Sequence, residues 1–175
     1  MRIERIDDLG LLIGIIRQSG LEEVLDRHYP VHHNWRGPSL GKIVCGWLGY
    51  MLSEADHRLS HVSAWASDRL LTLRLLLDAP DLEVSHFSDQ HLEVILDRFK
   101  EVALWDEMLV EHMQGLLQVY PLGSEVVRLD AMLTQSYREI GGLFQVGHSK
   151  QHIAGLPQIK EMMAVSDGYG LPLLT

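Results

Sequence analysis

Asp130 lies in the run Glu125-Val126-Val127-Arg128-Leu129-Asp130-Ala131-Met132-Leu133, a carboxylate carried on an apolar, β-branched stretch. Such a stretch favours a strand. A carboxylate presented from a strand is a hard oxygen ligand of the kind Mg²⁺ prefers. Two such ions can activate a water or a 3′ hydroxyl and stabilise the leaving oxygen in phosphoryl transfer. One carboxylate does not hold two metals. From pattern alone, a plain solvent-exposed edge carboxylate is the preferred reading of Asp130, with metal ligation its competitor.

Other residues offer chemistry at shorter range. His57 and His61 are four apart and would share a face if both lay on a helix. With Glu54 or Asp56 they could ligate zinc, although a polar helix face with hydrogen-bonded histidines is the preferred reading. His32 and His33 sit among turn residues and read as solvated side chains rather than ligands. The single cysteine, Cys45, excludes an internal disulfide and any cysteine-based zinc cluster. Its apolar neighbours, Ile43-Val44-Cys45-Gly46-Trp47-Leu48, mark it as a buried structural thiol. Trp35, Trp47, Trp65 and Trp105 read as core or domain-interface aromatics rather than base-stacking platforms.

The elements that must position these residues fall into two parts. Ile6, Leu9, Leu12, Ile13 and Ile16 recur at helical spacing behind Asp7 and Asp8, and Gly20 breaks that helix. A second helix is expected over Leu21 to His28, ended by Pro30. A third is capped by Ser39, with Leu40, Ile43, Val44, Trp47, Leu48, Met51 and Leu52 on one face. His57 to Val62 continues or resumes it, and Ser67 or Asp68 is expected to cap Leu70 to Leu77. Ser88-Asp89 opens a helix over Gln90 to Phe99, and another runs from about Glu101 to Val119.

Beyond Pro121 the pattern turns to strands. Glu125 to Leu133 forms the first, extended through Thr134 and Gln135, and Gly141-Gly142 marks a tight hairpin turn. Leu143 to Val146 is expected to return antiparallel to the first strand. Gln158 to Val165 forms a third, followed by a turn at Asp167 to Gly170. The expected fold class is α+β: an all-helical domain over residues 1–120, then a mainly antiparallel segment over 121–175.

Composition is that of an ordinary globular chain, 46% hydrophobic and 22% charged over 175 residues. No apolar run is long enough to span a bilayer, so no membrane partner is expected. Acids at the N-terminus also interrupt any signal-like core, which points to the cytoplasm. The net charge of −9 argues against a general nucleic-acid binder. Residues 1–120 hold 11 basic and 19 acidic side chains, residues 121–175 hold 4 and 5, so neither part is basic.

Several separated motifs resemble one known family. Arg128-Leu129-Asp130, the Gly-rich hairpin, Gly147-His148-Ser149-Lys150, Leu156-Pro157-Gln158-Ile159-Lys160 and Gly170-Leu171-Pro172-Leu173 are similar to the start of the catalytic domain of bacterial insertion-sequence DDE transposases. Glu4-Arg5-Ile6-Asp7-Asp8, Leu25-Asp26-Arg27-His28, Asn34-Trp35-Arg36-Gly37 and Leu52-Ser53-Glu54-Ala55-Asp56-His57-Arg58-Leu59-Ser60-His61-Val62 resemble the helical domain of unassigned function that precedes it in one branch. The resemblance implies an RNase H-like sheet and Mg²⁺-dependent strand cleavage and transfer on insertion-sequence DNA. Asp130 would be the first acid of the triad and a metal ligand, with Lys150 and Lys160 possible contacts to DNA phosphate. His148, Ser149 and Gln158 match motif positions without an assigned role. The second Asp and the Glu of the triad are not matched within the 175 residues, which implies a truncated form inactive by itself. The competing expectation is a non-enzymatic helical module that self-associates or binds, and so regulates, an intact transposase.

Overall fold

The computed structural model describes residues 3–120, 126–137, 139–147, 155–166 and 172–174. The chain is α+β and divides into two compact units, Met1–Leu116 and Leu117–Thr175. The helical elements are α1 (Leu9–Gln18), α2 (Leu21–His28), α3 (Leu40–Glu54), α4 (Leu59–Asp68), α5 (Leu70–Leu76), α6 (Asp89–Arg98) and α7 (Val102–Val119), with a 3₁₀ turn over Val84–Phe87. No helix among the described residues is long and apolar enough to cross a membrane.

Local chemistry accounts for most of these boundaries. Gly20 adopts φ +77°, a left-handed conformation that costs glycine little, and so separates α1 from α2. Ser39 caps α3 by accepting from the Lys42 amide at 3.4 Å. Asp8 occupies the N-cap of α1 without a side-chain cap bond; its carboxylate instead accepts from the Ser53 hydroxyl at 2.6 Å. The expected cap at Ser67 or Asp68 is not found. Both residues belong to the end of α4, and Arg69 stands between α4 and α5. The amides at the start of α5 are satisfied from a distance, by the Glu4 carboxylate accepting from Leu71 N at 3.1 Å and Thr72 N at 2.8 Å.

Helix α3 is the centre of the core. Leu40, Ile43, Val44, Cys45, Trp47 and Tyr50 are buried on it, packed with Leu9 and Ile13 of α1, Leu25 of α2, Val62 and Trp65 of α4, and Phe87. Burial pushes the Cys45 thiol up to about 12, so it stays protonated and inert, as its apolar setting suggested. Trp35 and Trp105 pack against this core from its margin, and Phe99 meets Tyr29 edge-on at 4.8 Å and Trp105 at a tilt at 5.2 Å. Glu111 of α7 accepts from Arg27 Nε at 3.0 Å and from His28 Nε2 at 2.6 Å, both on α2.

The second unit is a small antiparallel sheet of β1 (Val127–Gln135), β2 (Gln145–Val146), β3 (Pro157–Ser166) and β4 (Pro172–Leu174). β3 is central. It pairs with β1 along its length, from Val127↔Ser166 to Gln135↔Gln158. Gly142 at φ +56° and the Gly141↔Phe144 bridge form the expected turn. The returning segment does not pair with β1, however: Gln145 and Val146 pair with Gln158 and Pro157 of β3. β1 already uses one edge of β3, so β2 and β4 share the other.

Candidate functional site

Asp130 lies in the middle of β1, opposite Met163, with its side chain exposed. Its carboxylate accepts from the Ala131 amide at 2.8 Å. Directly paired residues of an antiparallel ladder point to the same face. Asp130 therefore shares a face with Met132, Ile159, Glu161, Met163 and Val165, which line a groove of about 700 Å³. Glu161 faces Met132 and is a diagonal neighbour of Asp130, a relation that separates side chains by about 7–8 Å. Among the described residues no group of three or more His, Cys, Asp or Glu is placed to hold a metal. Lys160 pairs with Leu133 and so points to the opposite face from Asp130. Lys150, His148, Ser149 and Asp167 lie outside the described residues.

The more elaborate constellation is in the helical unit. α3 ends where Ala55 takes a left-handed φ of +49°, and the chain then folds back at Asp56. The Asp56 carboxylate accepts from the Arg58 amide at 3.0 Å, a turn typical of aspartate. It also grips the Arg58 guanidinium through Nε at 2.9 Å and Nη2 at 2.9 Å. His61 Nδ1 lies 3.0 Å from the second Asp56 oxygen. An ionised carboxylate only accepts, so Nδ1 carries the proton. The Arg58 side chain and amide, joined by Tyr50 and His61, hold the Asp56 carboxyl well below the usual carboxylate range. The Tyr50 hydroxyl is pushed up to about 12, by burial first and then by Asp56.

These groups form one wall of an open cleft of about 770 Å³, also lined by Glu54, His57, Trp65 and Arg69. His57 reaches it from the segment before α4, not from a helix face shared with His61, because α4 starts only at Leu59. The shared helix face that a zinc-binding His57–His61 pair would need is therefore absent, and both Asp56 oxygens are committed to Arg58 and His61 rather than open to zinc. Arg69 is 8% exposed. Its Nη2 donates to Glu54 at 3.2 Å and to Asp7 at 3.5 Å, and its guanidinium lies 5.3 Å over the Trp65 ring. Arg69 Nε and Trp65 Nε1 are buried donors without a partner among the described residues. Tyr50, Trp65 and Arg69 escape a sequence reading because each looks like a core or helix-junction residue.

Acid should weaken this unit in two stages. Burial holds the imidazoles of His91, with help from His86, and His112 below the ordinary histidine value. The Glu111 carboxyl is lowered by His28 and then Arg27, and Asp56 is lowered by Arg58. For every one of these groups the folded pKa lies below the unfolded one. Its stabilisation is thus present above the unfolded value and lost as pH falls toward the folded value. The urea midpoint should decline once pH drops below about 6.5 as the histidines act, and again below about 4 as the carboxylates act. A midpoint that stays level from pH 7.5 to 5 would contradict the buried, neutral placement of His91 and His112.

Fold and site thus define an α+β protein whose helical unit carries a donor-rich cleft and whose sheet presents a carboxylate from β1. The chain belongs to the DUF4277 family: residues 1–110 match the family described as Domain of unknown function (DUF4277). No curated protein matches the chain, and no solved structure does.

Proposed function

We propose that this chain is a transposase-related protein of an insertion sequence, acting on DNA in the cytoplasm. The observation that carries the reading is the β1–β3 ladder with Asp130 at its centre. A mainly antiparallel segment with an acid exposed on its first strand agrees with the motif resemblance, although the strand after the Gly-rich turn pairs with β3 and not with β1. The match of the helical motifs to the preceding domain adds to it. Asp130 would serve as the first metal ligand, and Mg²⁺ would supply charge stabilisation at the transferring phosphoryl group once further carboxylates completed the set. Lys160, on the other face of the sheet, could meet DNA phosphate only if DNA approached that face; Lys150 remains the second such residue.

With Asp130 alone of the family acids, these 175 residues should not catalyse. Purified protein incubated with Mg²⁺ and DNA carrying the ends of its own element is expected to give no nicked or joined product. It should nonetheless bind those ends in preference to a scrambled duplex, with affinity falling as salt rises. Equal affinity for both duplexes would sink the reading.

A second reading is a non-enzymatic helical module that self-associates or joins an intact transposase. It is favoured by apolar side chains left in solvent at i and i+4 on two helices: Leu11 and Ile15 on α1, Leu71 and Leu75 on α5, the last 80% exposed. Light scattering separates the two readings, since association raises the mass with concentration in the absence of DNA.

A further inference from the structure

We propose that the apolar hollow between α3 and α7 of the helical unit is a binding site for the alkyl chain of a small amphiphile, with the polar end of that ligand beside His57. The assignment does not depend on the transposase reading. It rests on the size, shape and lining of the hollow. Its volume is about 730 Å³. Packed interiors hold few voids larger than a water molecule, whereas small-molecule sites run to about 300–1,000 Å³. α3 lines the hollow with Val44, Trp47, Leu48 and Met51, and α7 lines it with Trp105, Met108, Leu109 and His112. Both sets step i, i+3, i+4 and i+7, the spacing of one helix face. Each face covers two turns, so the hollow runs for about 10 Å along both helices. Leu48, Met51, Trp105 and Leu109 are only half-buried there. An alkyl chain laid against them would take that surface out of water.

Charge decides against an ionic ligand. Residues 1–120 carry 19 acidic and 11 basic side chains, yet no Asp, Glu, Lys or Arg among the described residues lines this hollow. Burial holds the His112 imidazole below the ordinary histidine value, so its ring adds no charge at neutral pH. An ionised group placed inside would lose its hydration and gain no counter-charge. Bulk decides against a partner helix. Two turns of helix, 10–12 Å across, displace about 850–1,200 Å³, more than the hollow holds. A slender chain fits both limits. His57 supplies the place for its polar end, since it is exposed and lines both this hollow and the cleft around Asp56. There a hydroxyl can meet the imidazole and water while the chain stays buried.

The test titrates the whole chain with hexanol and with octanol, while NMR follows the Trp47 and Trp105 indoles and the His57 ring. Saturable shifts of all three are expected with both alcohols. Octanol should bind about tenfold more tightly, because two further methylenes leave water. Leu48→Phe and Leu109→Phe each put a larger side chain into the hollow and should weaken octanol binding about tenfold or more. The urea midpoint of both variants should stay level or rise, since a void is filled and no packed core is strained. Leu75→Ala, at an exposed side chain of α5, should leave octanol binding unchanged. Failure to saturate, equal affinity for the two alcohols, or octanol binding that both fillings leave intact overturns the assignment. So does a fall in the midpoint of both filled variants, which would show that there is no room to fill. Indole shifts without a His57 shift overturn the placement of the polar end. Indole shifts on concentrating the chain without alcohol would make the hollow an interface between copies and overturn the assignment as well.

Discussion

Gly41→Ala is expected to destabilise the helical unit by about 3 kcal/mol, at the upper end of what overpacking costs. A Cβ at Gly41 would lie 2.4 Å from the backbone oxygen of Glu22 and 3.0 Å from Asp26 Oδ1. The first of these is main chain on α2, which cannot step aside as a flexible side chain can. To make room, α2 and α3 must separate, and the Asp26 carboxylate then loses the Gly41 amide it accepts from at 2.7 Å. That amide is one of the unpaired donors at the start of α3, so the separation also removes a remote helix cap. The control is the same substitution on α1. A Cβ at Gly10 or Gly14 would meet nothing within 4 Å, and alanine there should stabilise by about 0.5–1 kcal/mol through helix propensity. Urea unfolding of the three variants measures both signs. If Gly41→Ala unfolds at the wild-type midpoint, α2 does not press against α3 as described.

Phe87→Ala should cost about 3–5 kcal/mol, the range for deleting a buried aromatic ring. Phe87 is fully buried, and its ring fills a notch left open on α3 by Gly46. A Cβ at Gly46 would meet the ring edge at 2.8 Å and Leu77 Cδ1 at 3.1 Å. Ring and notch are thus one contact seen from two sides. Gly46→Ala alone should be strongly unfavourable, whereas in the Phe87→Ala background the added methyl enters the space the ring vacated. The double-mutant cycle should therefore show a coupling of about 1–2 kcal/mol in the direction of rescue. Simple additivity of the two changes would show that Phe87 and Gly46 do not touch.

Both effects arise where distant segments meet, and that divides what can be read in the chain from what cannot. Helix α2 spans Leu21–His28 as its flanking Gly20 and Pro30 require, and Ser39 caps α3 as its type suggests. These are local decisions, made by backbone conformations that glycine and proline permit and by a hydroxyl within reach of the next turn. The junction of α4 with α5 departs from the sequence expectation for the opposite reason. Glu4, far away in sequence, satisfies the amides that Ser67 or Asp68 would otherwise have capped. Likewise, the β-branched run marks β1 as a strand, but the pairing of β2 with β3 and not with β1 is set only in the folded sheet.

The candidate site divides in the same way. Asp56, Arg58 and His61 lie close enough in sequence for their grouping to be noticed, although the helix on which His57 and His61 would have formed a pair begins too late to hold both. Tyr50, Trp65 and Arg69 join them only because α3, α4 and α5 pack around one core. The sequence by itself determined the α+β class, most helix limits, the buried thiol of Cys45 and the strand that carries Asp130. Those follow from interactions within a few residues. Tertiary structure alone decided the strand pairing, the placement of Lys160 and Asp130 on opposite faces, and the donor-rich cleft. Each of these depends on which surfaces remain free once the larger apolar faces have been buried.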